Sequence, residues 1–140
     1  TLKHAHHAFD ADTPGKDSYR HRKAGARQVI VSSRARSVLF TENADRGESR
    51  LEDLLDALAP ADIVIVEGYK REPIPKIEIF RTATGKPPLY IEDSRIIAVA
   101  TDEPSALLAN APPSLDLNDI DAIVDFICNL SSAGAVAAAS

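Results

Sequence analysis

The chain has almost no cysteine: Cys128 is the only one in 140 residues. A lone thiol excludes an internal disulfide framework and fits a reducing compartment. Positive charge is also in deficit, with 16 Lys and Arg against 21 Asp and Glu and a net charge of −5. That balance excludes the broad attraction by which proteins hold nucleic acid or an anionic membrane surface. No apolar run approaches the ~20 residues needed to span a bilayer. No signal peptide and no internal repeat are visible. A phosphate-binding loop is missing as well. Gly15, Lys16, Asp17 and Ser18 imitate its end, but GxxxxGK[ST] needs glycine where Asp10 stands and Ser or Thr where Asp17 stands. No strand leads into this segment either.

What is present is a 44% hydrophobic content, enough for a core, in a length that suits one domain. The chain reads as alternating elements. Thr1 to His4 looks like the end of a strand, and Phe9 to Lys16 is a loop punctuated by Asp10, Asp12, Pro14 and Gly15. Asp17 or Ser18 can cap a short helix running to about Ala26. Strands are expected at Gln28–Ser32 and Ser37–Thr41. Ser49 and Glu52 have capping-box spacing, and Leu51, Leu54, Leu55 and Leu58 give the helix behind them one apolar face. Further strands are expected at Asp62–Glu67, Lys76–Arg81 and Arg95–Thr101. Asp102 can cap a short helix with Pro104 in its first turn. Asn118 can cap a last helix carrying Ile120, Ile123, Val124, Ile127 and Leu130 on one face. Strands alternating with amphipathic helices indicate an α/β sandwich with a mainly parallel sheet. Residues 131–140 are almost all Ala, Ser and Gly, without a periodic apolar face, and are expected to form a flexible tail after a 1–130 domain.

The sharpest functional signal is DIVIVEG, Asp62 to Gly68. Four consecutive β-branched residues predict a strand buried on both faces, delivering Glu67 and Gly68 to its carboxyl end. Ligands sit at that end of open parallel sheets. An acid there, followed by a residue with no side chain, suits a metal-bound phosphate; the plainer reading is a solvated acid closing a strand. Tyr69, Lys70 and Arg71 follow, and cations beside an acid suit phosphate oxygens, although an exposed charged loop reads the same way. The amino-terminal block KHAHHAFDADTPGKDSYRHRKAGA carries His4, His6 and His7, then Asp10, Asp12 and Asp17. Imidazoles can bind zinc, but the spacing matches no zinc pattern. Oxygen ligation of Mg2+ by Asp17 or Asp12, shared with a phosphate, is easier to justify, and a solvated loop with ordinary capping stays open beside it. Asp102 stands at another strand's carboxyl end, where an acid can touch a base or ribose, cap a helix, or do both.

KHAHHAFDADTPGKDSYRHRKAGA, DIVIVEGYKREPIPKIEIFR, IIAVATD and LDLNDIDAIVDFI, in that order from about Lys3 to Leu130, together resemble the molybdopterin-guanine dinucleotide biosynthesis adaptor family (MobB). The resemblance implies a three-layer P-loop NTPase-like fold that binds GTP and Mg2+. It implies a weak GTPase acting as a cytoplasmic homodimer beside the guanylyltransferase that attaches GMP to molybdopterin, with the molybdopterin cofactor itself a further candidate ligand. On that likeness Glu67 and Asp17 are the catalytic and metal-side acids. Gly68, Tyr69, Lys70, Asp102, His4 and His7 are the candidates for cofactor contact, with Asp102 near the guanine.

Members of that family begin with a strand, a glycine-rich phosphate loop and a helix that have no counterpart before Thr1. The expectation is that roughly 30 to 40 residues, one βα unit and part of a strand, precede this stretch in a longer chain, and that without them the sheet is opened and apolar surface exposed. Two functions remain in view. One is a GTP-binding accessory protein with slow phosphoanhydride hydrolysis. The other is a non-catalytic adaptor that docks on the guanylyltransferase or the pterin through the 4–22 and 69–76 loops.

Overall fold

The computed structural model describes residues 1–5 and 9–132. They divide into two compact units. The first comprises Thr1–Pro60 with Ile65–Gly68, and the second Ala61–Val64 with the chain from Tyr69 onward.

The first unit contains β1 (Leu2–Lys3), α1 (Asp17–Lys23), β2 (Gln28–Ser32), β3 (Ser37–Thr41), α2 (Leu51–Asp56) and β4 (Val66–Glu67). β1 and β4 pair in parallel, while β2 and β3 form a separate antiparallel hairpin. The hairpin turn is closed by Ser33, whose N–H donates to the Arg36 carbonyl at 2.8 Å and whose hydroxyl accepts the Arg36 N–H at 3.2 Å. Val29 and Phe40 are cross-strand partners and are half-buried. Ile30 and Leu39, the next pair on the opposite face, are exposed.

The second unit is built on a parallel three-stranded sheet in the order β5-β6-β7, with β5 at Lys76–Phe80, β6 at Ile96–Thr101 and β7 at Ser114–Asp116. α3 (Ile120–Ser132) packs beside β7. The central strand is buried almost throughout, as its β-branched and small residues predict. Phe80, Tyr90, Ile96 and Val99 form the core, with Leu107 and Ala111 against it. Inside this core lies Glu78. Its two carboxylate oxygens accept the backbone N–H groups of Leu89 (2.6 Å) and Tyr90 (3.0 Å), at the start of a 3-10 turn over Leu89–Ile91. Tyr90 in turn accepts the Leu108 N–H on its hydroxyl at 3.0 Å. The Lys76 ammonium donates to Asp93 at 2.6 Å. That bond, with the Arg95 N–H donated to the same carboxyl, holds the Asp93 pKa below the usual carboxylate range.

The α/β class and the prevalence of parallel pairing match the sequence reading. The paired strands of the described residues fall into three separate small sheets. The expected Asp62–Glu67 strand is the main correction. Only Val66 and Glu67 are paired, and Ile63 and Ile65 are 39% and 53% exposed. The apolar run has β1 as its single strand partner among the described residues, so it is not buried on both faces.

The helix caps are corrected too. α1 begins at Asp17 itself, and the Ser18 hydroxyl donates to Asp12. The Ser49 hydroxyl turns to Asn43 and leaves α2 without a side-chain cap. α2 ends at Asp56, before Leu58. At α3 the cap is Asp119, which accepts the Ala122 N–H at 3.0 Å, one residue beyond the expected Asn118. Ile120 and Val124 of the expected apolar face are exposed. α3 continues to Ser132, and residues 133–140, where most of the expected tail falls, lie outside the described residues.

Candidate functional site

The site is built on the β1–β4 pair. Leu2 stands opposite Val66 and Lys3 opposite Glu67. The Leu2 N–H donates to the Ile65 carbonyl and the His4 N–H to the Glu67 carbonyl, each at 2.8 Å. Both strands therefore end at the same level, and Lys3-His4 lies alongside Glu67-Gly68. The Glu67 carboxylate is ion-paired with the Lys3 ammonium, and the side chains are 67% and 69% exposed. His4 is largely buried, with Nε2 2.5 Å from Glu48 Oε1.

Gly68 has φ +91°, and a Cβ there would lie 2.7 Å from the His4 Cβ. The absence of a side chain thus serves the close approach of two strand ends, whatever ligand enters there. Gly68→Ala is expected to destabilise the protein by about 2 kcal/mol, from left-handed backbone strain together with the clash. A urea denaturation curve measures this. Tyr69, the next residue, also has positive φ, at 49°. It is half-buried, and Lys70 is exposed.

A second cluster of the same unit centres on Arg22. Its side chain is only 10% exposed and its guanidinium reaches Asp10 Oδ2 at 2.6 Å, Asp12 Oδ2 at 3.3 Å and Glu42 Oε1 at 3.3 Å. It also lies over the Phe40 and Tyr19 rings, 5.1 and 5.8 Å from their centroids. Asp12 is more deeply buried still, at 6% side-chain exposure, and accepts hydrogen bonds from Thr13 N–H and the Ser18 hydroxyl. This network ties the 9–13 loop to α1 and β3. Asp12 thereby holds the loop to α1.

Asp17 is exposed at the start of α1 and lies 3.8 Å from Arg20. No ion pair or hydrogen bond of the described residues joins Asp17 to Glu67, whose partners are Arg20 and Lys3 respectively. Asp102, in the second unit, follows β6 and lies 3.8 Å from Arg81. It does not cap the 3-10 turn over Pro104–Ala106, which has no side-chain cap. His7, and His6 with it, fall outside the described residues.

No group of three or more His, Cys, Asp or Glu among the described residues is arranged to hold a metal. Mg2+ asks less of a protein, namely one or two carboxylates, with phosphate oxygens and waters completing its shell. The exposed Glu67 carboxylate fits that demand as a single ligand.

Sequence reading did not single out Lys3, Glu48, Arg22 or Glu78. Glu78 shares the alternating face of β5 with Phe80, but Ile77 and Ile79 on the other face compete for the interior. Nothing in the sequence separates Arg22 from the Arg20 and Lys23 around it.

The whole of this β1–β4 site lies within a stretch that matches a known family. The sequence profile of "Molybdopterin guanine dinucleotide synthesis protein B" matches residues 1–102. The chain is 43% identical over 129 residues to the molybdopterin-guanine dinucleotide biosynthesis adapter protein of Escherichia coli K12, covering 90% of this chain and 72% of that protein. It is 40% identical over 134 residues to the protein of the same name from Haemophilus influenzae, covering 91% of this chain and 70% of that one. The chain belongs to the molybdopterin guanine dinucleotide synthesis protein B family.

Proposed function

We propose that the protein serves molybdopterin-guanine dinucleotide biosynthesis as a GTP-binding accessory protein of P-loop NTPase type, with weak Mg2+-dependent GTPase activity. It works in the cytoplasm as a homodimer beside the guanylyltransferase that attaches GMP to molybdopterin. The observation that supports this best is the acid-glycine pair at the carboxyl end of β4, set beside Lys3 inside the family-matched stretch. Glu67 is the residue that would hold Mg2+, with Asp17 as the second acid. When bound, the ion supplies charge neutralisation at the phosphate oxygens. Gly68 lets the chain pass His4 at this strand end toward the cofactor, and Tyr69 and Lys70, next in sequence, are proposed to offer it a ring and a cation. Asp102 is proposed as the acid for the guanine, and His4 and His7 as residues that contact the cofactor. The exposed Ile30–Leu39 pair on the hairpin supports an association surface, as the homodimer requires.

Glu67→Gln should lower GTP hydrolysis about ten- to a hundredfold while changing the Kd for GTP much less. Steady-state turnover and calorimetry read the two quantities, and equal loss of both would make Glu67 structural. In the same assay Asp17→Ala should raise the Mg2+ concentration needed for half-maximal rate; an unchanged titration removes Asp17 from the metal side. A second reading, a non-catalytic adaptor that docks on the guanylyltransferase or the pterin, is favoured by the name its relatives carry, adapter protein, and by the separate partners of Asp17 and Glu67. It predicts that Glu67→Gln leaves cofactor maturation intact.

A further inference from the structure

Lys3 holds the Glu67 carboxylate, which the proposed function needs to be free. The contact is built into the fold. Parallel register places Lys3 directly opposite Glu67, and the backbone bonds on either side of the pair prevent the two from drifting apart. The pair is also labile. Both side chains are largely exposed, and an exposed ion pair holds its partners weakly. A lysine head on a four-carbon stem can leave one oxygen for another without moving its backbone.

We propose that Lys3 is an internal counter-cation for Glu67, which a divalent metal must displace before it can bind, and that the displaced ammonium is taken up by the phosphate oxygens of the incoming nucleotide. This rests on the reading of Glu67 as the metal-side acid and adds a device to it. With Lys3 in place, the carboxylate is neutralised and a bare divalent ion gains little by approaching. A nucleotide brings negative charge for the ammonium, so metal and nucleotide each favour the other's binding. Lys3 is on this account a positioning residue whose charge, and not its length, sets the order of binding.

The experiment is a titration of the protein with Mn2+ alone, the free ion being followed by electron paramagnetic resonance. Lys3→Gln should tighten Mn2+ binding about three- to tenfold at low ionic strength, and the gain should shrink as salt screens the pair. Lys3→Arg should behave like the wild type, since it keeps the charge and changes the stem. Lys3→Gln binding Mn2+ no tighter than the wild type, while Glu67→Gln abolishes binding, would sink the displacement and leave the metal-side role of Glu67 standing. Should Glu67→Gln leave the affinity unaltered, or should no variant bind Mn2+ at all, both ideas fall together. A Lys3→Arg variant that binds as tightly as Lys3→Gln would also overturn the proposal, because loss of charge could not then be the cause.

Discussion

Arg22→Met should cost the protein about 3–5 kcal/mol, the usual range for removing one partner of a buried ion pair. The substitution keeps the apolar stem and deletes only the guanidinium. Asp12 would then be left nearly enclosed, and Asp10 and Glu42 would lose the cation they share. The two aromatic rings beneath the guanidinium would lose a cation–π partner as well. The shift appears in the urea denaturation midpoint, and a change under about 1 kcal/mol would show the network to be ornamental, as exposed pairs usually are. Arg22→Lys should fall between the two, because a single ammonium cannot reach three carboxylates in the geometry of a fork. Combining Arg22→Met with Asp10→Asn and Asp12→Asn should recover part of the loss, since the destabilisation comes from uncompensated charge more than from missing contacts.

Glu78→Ala should be nearly as costly, at about 3 kcal/mol, because it strands two backbone donors at once. The Leu89 and Tyr90 N–H groups both end on this carboxylate. Tyr90 is a core residue and its hydroxyl also accepts the Leu108 N–H, so loosening the turn loosens the packing under β5 and β6. Glu78→Gln should cost less than Glu78→Ala, since one amide oxygen can still accept a bond. Thermal unfolding should fall by roughly 10 °C for the alanine variant, taking a few degrees per kcal/mol at this chain length. If alanine and glutamine are equally harmless, the carboxylate is not the anchor of the turn.

Much of the element order was legible because it depends on local pattern. β2, β3, β5 and β6 stand close to where runs of Val, Ile and Phe put them. α3 was visible through its apolar spacing. The caps were not legible, since several Ser, Asn and Asp compete at each helix start and tertiary partners decide among them. Ser18 and Ser49 satisfy the rule for caps but spend their hydroxyls on Asp12 and Asn43. Asp119 won over Asn118 because Asn118 is held by Asp116. The face of β5 was also hidden. Alternation puts Ile77 and Ile79 together against Glu78 and Phe80, and hydrophobicity alone would turn the isoleucines inward. Instead Ile79 is 63% exposed and Glu78 is buried, since two backbone donors await it. In the candidate site, DIVIVEG identified Glu67 and Gly68 correctly as a strand end, because a β-branched run stops there. Lys3 escaped notice because cross-strand register, not neighbouring residues, brings it to Glu67.

That register has a consequence for how the site comes into being. Lys3 and Glu67 are separated by 64 positions, and two paired residues per strand give the closure little immediate return. The entropy lost in joining such distant ends must be met by the pieces lying between them, α1, the hairpin and the Arg22 cluster, which form from nearer neighbours. The β1–β4 corner is therefore expected to assemble after the rest of its unit and to open before it, and a protease nick between the two strands should loosen the Lys3–Glu67 pairing while leaving both residues in place in the sequence.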